Sequence, residues 1–180
     1  MKTFLYSLAC SIFFISTYST NADAKQAYNL TNDQGAKNNP ATILEAYLKL
    51  KNALSADNGK NAATAGNELA KAFAGFDQTR LTASQRKIYA EIVDDAKEHA
   101  RHIGVNADNI PHQREHFGLL SKDIYDMIKL LGAGREIYVD NCPMYNKGKG
   151  AIWISEVKDI KNPYFGKAMS TCGEIRETLH

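Results

Sequence analysis

The stretch that decides the fold is Thr82 to Leu131, TASQRKIYAEIVDDAKEHARHIGVNADNIPHQREHFGLLSKDIYDMIKLL. It opens on Thr82-Ala83-Ser84-Gln85, a capping box in which a Thr hydroxyl and a Gln side chain each satisfy the other's backbone N–H. Ile88, Ile92, Ala96 and Ile103 then recur at helical spacing, and Gly104 reads as the stop. A second helix is predicted from Asp108 or Asn109, with Pro111 in its first turn. Its inward face is Phe117, Leu120, Ile124, Met127, Ile128 and Leu131, and Gly132 and Gly134 end it. The pair reads as an antiparallel helical hairpin.

Upstream, two more amphipathic segments join it. Asn39-Pro40 pairs an N-cap residue with a proline at the first helical position. Ile43, Tyr47, Leu50 and Leu54 follow on one face, widened by Leu44 and Leu48, and Asn58-Gly59 ends that helix. The next runs from about Asn61 to Ala74, with Ala62, Ala65, Leu69, Ala72 and Phe73 inward and Gly75 as its stop. Its alanines permit close helix approach. Four such helices with short joins predict an all-α, up-down four-helix bundle. After Gly134 the pattern changes. Glu136 to Val139 and Ala151 to Ile154 read as short strands, with turns at Lys147-Gly148-Lys149-Gly150 and Asn162 to Gly166. This irregular tail is expected to wrap onto the bundle.

The N-terminus reads as a secretory signal over residues 1–24. It has Lys2, an apolar run from Leu5 to Ile15, and the small-x-small site Ala22-Asp23-Ala24. The run falls short of the ~20 apolar residues a spanning helix needs, so no membrane span is expected after cleavage. Residues 25–38 are polar and read as a flexible leader, and 39–180 as one domain. Cleavage removes Cys10 and leaves two cysteines, an even number, in an oxidising compartment outside the cytoplasm. The formal net charge is only +2, too weak to draw in nucleic acid or anionic lipid. No zinc-protease helix, nucleophile elbow or phosphate loop is present, and the chain is not read as an enzyme. No organic cofactor is expected.

The residues that carry chemistry lie in the tail and at one end of the bundle. Cys142-Pro143-Met144 and Met169-Ser170-Thr171-Cys172 bracket a Gly-, Trp- and Tyr-rich segment. Two thiols with two thioethers form a soft-ligand set of the kind that selects Cu(I). The same thiols, closing a loop of about thirty residues, would contribute ~3 kcal/mol as a disulfide, so bracing and ligation both stay open. Met127 lies on the core stripe and reads as packing. His99, His102, His112 and His116 all fall at the hairpin end of the bundle, and His112 and His116 project one turn apart. His99 lies near the apolar stripe and reads as a hydrogen-bonded, partly buried histidine. His180 is expected to be disordered. An extended run from Gly134 brings Cys142 and Met144 back within reach of His112 and His116. Trp153, Tyr164 and Phe165 read as shielding such a site or simply docking the tail.

The order Tyr138-Val139-x-x-Cys142-Pro143-Met144, Trp153-Ile154-Ser155, and Ile160-x-Asn162-Pro163-Tyr164-Phe165-Gly166-x-x-Met169-x-x-Cys172-Gly173 resembles a periplasmic domain of unknown function. That domain occurs as a small exported protein and fused to the adaptor subunits of copper/silver efflux pumps. Gln113 to Ser121 is similar to its upstream helix. The resemblance spans about Pro40 to Gly173 and implies a heavy-metal-linked role, copper first, with an efflux adaptor or another envelope metal-handling protein as partner. It carries over Cys142, Met144, Met169 and Cys172 as ligands, with His116, for Cu(I) or its alternatives Ag(I) and Zn; His112 joins the set on its spacing, one helical turn from His116. Where many relatives have His before Cys-Pro-Met, this chain has Asn141, so a histidine there is not essential to it. The competing expectation is a disulfide-braced envelope interaction module without metal.

Overall fold

The computed structural model describes residues 39–180. The signal sequence and the leader predicted over 1–38 lie outside the described residues. Four helices come first: α1 Pro40–Ser55, α2 Gly59–Ala74, α3 Ala83–Val105 and α4 Ile110–Leu131. Three strands follow, β1 Ile137–Cys142, β2 Ala151–Ser155 and β3 Glu174–Leu179, in one antiparallel sheet ordered β2-β1-β3. The chain is therefore mostly helical with a small antiparallel sheet at its C-terminal end. The tail is more regular than predicted. Its third strand was not anticipated, because only Leu179 of β3 is buried. That strand exists to satisfy the backbone groups on the open edge of the buried β1. Arg176 is the extra residue of a bulge, since Val139 faces Glu177 and Asp140 faces Ile175.

The helix starts follow local chemistry. Asn39 accepts from Ala41 N at 3.1 Å, with Pro40 behind it. Thr82 and Gln85 complete both halves of the capping box. Asn109 accepts from His112 N at 3.2 Å. Two boundaries differ from expectation. Asn58 caps α2 through Asn61 N at 3.0 Å, so Asn58-Gly59 begins the second helix as well as ending the first. Gly104 does not end α3, which runs on to Val105. A Cβ at Gly104 would lie 2.4 Å from Asn67 Oδ1, so the glycine admits a neighbour.

The core face of α3 is also rotated from the predicted one. Tyr89, Val93, Ala96, Ala100 and Ile103 are buried, whereas Ile88 is 42% exposed and Ile92 only half-buried. Tyr89 sets this facing by packing on Phe76, with ring centroids 4.9 Å apart. α3 lies between α2 and α4, so small residues matter along it. A Cβ at Gly66 of α2 would lie 2.8 Å from Ala100 O. Gly66→Ala should gain up to ~1 kcal/mol in helix propensity and lose ~1–3 kcal/mol to overpacking. The net expectation is destabilisation, read as a lower urea midpoint. A higher midpoint would mean that the two helices part without cost.

The sheet docks on α1 and α4 through buried polar anchors. Tyr47 shares a hydrogen bond with Ser121 Oγ at 2.8 Å and accepts one from Ile154 N at 3.1 Å. Lys51, fully buried, pairs with Glu156 at 2.7 Å, and Asn52 donates to the same carboxylate. Arg114 of α4 donates to Leu54 O, Pro163 O and Asp57, and Asp57 in turn accepts from Lys167 N at 3.0 Å. These contacts place the C-terminal segment in a fixed position against the helices. Even the last carbonyl, that of His180, accepts from Ala133 N.

Candidate metal centre

The two thiols meet because of strand register. β1 ends on Cys142, and its residue Asn141 pairs with Glu174, two positions beyond Cys172. Asn162 sets the approach of that arm. Its amide donates to Cys172 O at 2.6 Å, and its carbonyl accepts from Tyr164 N and Phe165 N. Gly173 lets the chain pass over the indole: a Cβ there would lie 2.8 Å from Trp153 Cη2 and 3.0 Å from Asn141 O. The result is Cys142 Sγ and Cys172 Sγ 3.6 Å apart, both free thiols, the first buried and the second half-buried. The hydrogen bond with Cys142 pushes the Cys172 thiol up, so Cys172 rests protonated at neutral pH and an ion bound there must displace its proton.

The thioethers divide as the sequence suggests. Met127 is 1% exposed and belongs to the core. Met144 and Met169 are 59% and 39% exposed and flank the thiols in sequence. Met169 O accepts from Cys172 N at 3.1 Å, closing the turn that carries both. Trp153 and Tyr164 are buried, with rings 5.9 Å apart, and Tyr145 stacks on Tyr164 at 4.1 Å. Both belong to the core, which favours the docking role for these aromatics, while Phe165 is half-buried.

The imidazoles gather separately. His102 of α3 and His112 and His116 of α4 each bring a ring nitrogen within 4.8 Å of the others. The His102 and His116 rings stack at 4.4 Å, and His112 meets His116 edge-on at 4.6 Å. His99 Nδ1 lies 3.1 Å from His116 Nδ1, in keeping with its reading as a hydrogen-bonded, half-buried residue. Burial lowers the proton affinity of His99 and His116, and neighbouring imidazoles lower that of His116 further. Both are therefore neutral at pH 7, the form that offers a lone pair. The chain does return from α4 as expected. Tyr145 packs near Gly118, where a Cβ would lie 3.7 Å from its ring. Yet the described residues contain no group of three in which an imidazole or carboxylate joins the two thiols. His102 is the residue that sequence reasoning left out of the ligand set. Its placement at the hairpin end beside His112 and His116 was the available signal.

Among the described residues no helix is long and apolar enough to cross a membrane. No curated protein and no solved structure matches the chain. A family model described as "Protein of unknown function (DUF3347)" matches residues 43–136. That match runs from the first turn of α1 to beyond the end of α4 and takes in the whole imidazole cluster, and it ends before β1 and the thiols. More than half of the sequence thus carries the family's pattern, and the chain belongs to this family of proteins of unknown function.

Proposed function

We propose that this protein binds a soft metal ion at the sulfur end of its sheet and serves heavy-metal efflux or sequestration in the periplasm. The single observation behind this reading is the 3.6 Å separation of Cys142 Sγ and Cys172 Sγ. A tetrahedral ion with metal–sulfur bonds of ~2.3 Å holds two sulfurs ~3.8 Å apart, so little movement would admit it. Cu(I) is the first expectation, with Ag(I) and Zn as alternatives. Thiolate and thioether donors favour the soft monovalent ions. Cys142 and Cys172 supply the anionic donors, and Met144 and Met169, exposed and close to them in the chain, would turn in to supply neutral ones. Asn162 and Gly173 hold the Cys172 arm in place. On this reading the protein acts by binding rather than catalysis, as an up-down four-helix bundle carrying a metal-holding tail. Its partner is an efflux adaptor or another envelope metal handler.

The test is competition for Cu(I) against a chromogenic chelator under reducing conditions. The reduced protein should withdraw one Cu(I). Cys142→Ser should weaken binding at least a hundredfold, and Met169→Leu by about tenfold, with the circular dichroism spectrum unchanged. No withdrawal by the reduced protein would end the proposal. A second reading draws on the same distance. A bond of ~2.05 Å between these sulfurs would brace the tail, making an interaction module without metal. Thiol titration of the purified protein separates the two. Two titratable thiols together with Cu(I) competition favour ligation, and none without reductant favours bracing.

A further inference from the structure

The histidine cluster at the α3–α4 turn is a second constellation with its own chemistry. The two helices are joined by a short connection, residues 106–109. The hairpin therefore carries its histidines on facing turns: His99 and His102 near the end of α3, His112 and His116 near the start of α4. Three of these rings share one arrangement. His102 Nε2 lies 2.9 Å from Glu98 Oε1, His112 Nδ1 lies 3.5 Å from Glu115 Oε2, and His116 Nδ1 lies 3.1 Å from His99 Nδ1. In each ring one nitrogen faces an outer partner and the other is left over. That is the pattern by which ligating histidines are oriented: the outer partner accepts the N–H, and the free nitrogen turns its lone pair to the metal. One nitrogen from each ring lies within 4.8 Å of the other two.

We propose that His102, His112 and His116 form a metal site of their own for a borderline divalent cation of the Zn(II) class, separate from the sulfur pair. Three imidazoles suit Zn(II), Cu(II) or Ni(II) rather than the soft monovalent ions. Three protein ligands leave the fourth position to water or to a donor from elsewhere. An ion with bonds of ~2.0–2.1 Å holds its nitrogens roughly 3.4 Å apart. The rings must therefore close by about 1 Å, and His102 and His116, stacked with 14° between their planes, must also turn out of parallel so that their lone pairs converge; all three side chains are half-exposed. Glu98 and Glu115 place negative charge behind the site. His99 accepts the His116 proton and fixes that ring's tautomer, a positioning role. The ion ties α3 to α4 across their connection, so binding stabilises the hairpin by mass action. The site uses no thiol, and its failure would leave the sulfur proposal standing.

The experiment uses the full mature chain carrying Cys142→Ser and Cys172→Ser, so that the sulfur pair contributes nothing. ZnCl2 is titrated by calorimetry, and CoCl2 by visible absorption. One equivalent should bind, with Co(II) bands of tetrahedral intensity and a higher melting temperature. His102→Gln and His116→Gln should each weaken binding at least tenfold and abolish the rise in melting temperature. His99→Gln should weaken it less. If the cysteine-free chain fails to fold, the wild type is used, with imidazole 15N shifts as the readout. One equivalent of ZnCl2 should then move the resonances of His102, His112 and His116 together. Absence of Zn(II) binding at 100 µM, unchanged affinity in both histidine variants, or 15N shifts confined to other residues would each overturn the proposal.

Discussion

Trp153→Ala should lose about 3–5 kcal/mol of stability, the cost typical of emptying a buried aromatic position. Trp153 is fully buried on β2, with Tyr164 edge-on to it and the backbone of Gly173 passing over its Cη2 edge. A buried tryptophan contributes on the order of 150–250 Å² of contact surface, and here part of it supports the arm that presents Cys172. A loss of this size is a large fraction of the 5–15 kcal/mol that holds a typical domain together. The expected outcome is a sharply lower urea midpoint and, in the folded variant under native conditions, faster alkylation of the buried Cys142. Trp153→Phe should keep more than half of the lost stability. A Trp153→Ala variant within 1 kcal/mol of the wild type, with unchanged thiol reactivity, would show that the indole neither holds the core nor supports the thiols.

Asp140→Asn should stabilise the reduced, metal-free protein at pH 8 and have little effect at pH 4. Asp140 is fully buried in β1, neither of its oxygens completes a hydrogen bond, and Trp153 Nε1, on the residue facing it in register, is also unsatisfied. Burial pushes its carboxyl from the ordinary 3.8 up to about 7, against the pull of the Lys51 ammonium and of the Trp153 indole N–H, which faces the carboxylate without reaching hydrogen-bond geometry. The sign follows from linkage. The folded state binds the Asp140 proton more tightly than the unfolded chain, so the favourable contribution is complete below pH ~4. It drains away as pH rises, and is gone above about 7, where the folded protein must hold a buried carboxylate. At ~1.4 kcal/mol per tenfold change in proton affinity, that shift corresponds to roughly 4 kcal/mol. The Asn amide keeps part of the desolvation cost and loses the attraction to Lys51, so the net gain at pH 8 is expected nearer 2 kcal/mol. Urea denaturation of both proteins at pH 4 and pH 8 reads the difference directly. Parallel behaviour at the two pH values would place the Asp140 carboxyl in contact with water.

Much of the helical part was legible in advance because its signals are local. A cap is settled within four residues, so Asn39-Pro40 and Thr82 to Gln85 announced two helix starts that the structure keeps. The stripe from Phe117 to Ile128 marked the buried face of α4 correctly. The face of α3 was less legible. Ile88 and Ile92 fit the helical period as well as Tyr89 and Val93 do, and the choice depended on where Phe76 lay. Glu174 to Leu179 gave no strand signal, because what makes it a strand is the open edge of β1 more than thirty residues earlier.

The candidate ligands show the same division. Residue types alone named the sulfur set and gathered the histidines at one end of the helices. The chain itself therefore dictated which soft and borderline donors were available, and which helix turns would carry the imidazoles. It could not say who meets whom. The thiols come together through the β1–β3 pairing and the Asn162 turn, while the imidazoles meet across the α3–α4 hairpin. Period and capping act over a turn or two of backbone, so sequence resolves them. Ligand geometry is set by contacts between segments far apart in the chain, and only the packed tertiary structure brings those into being.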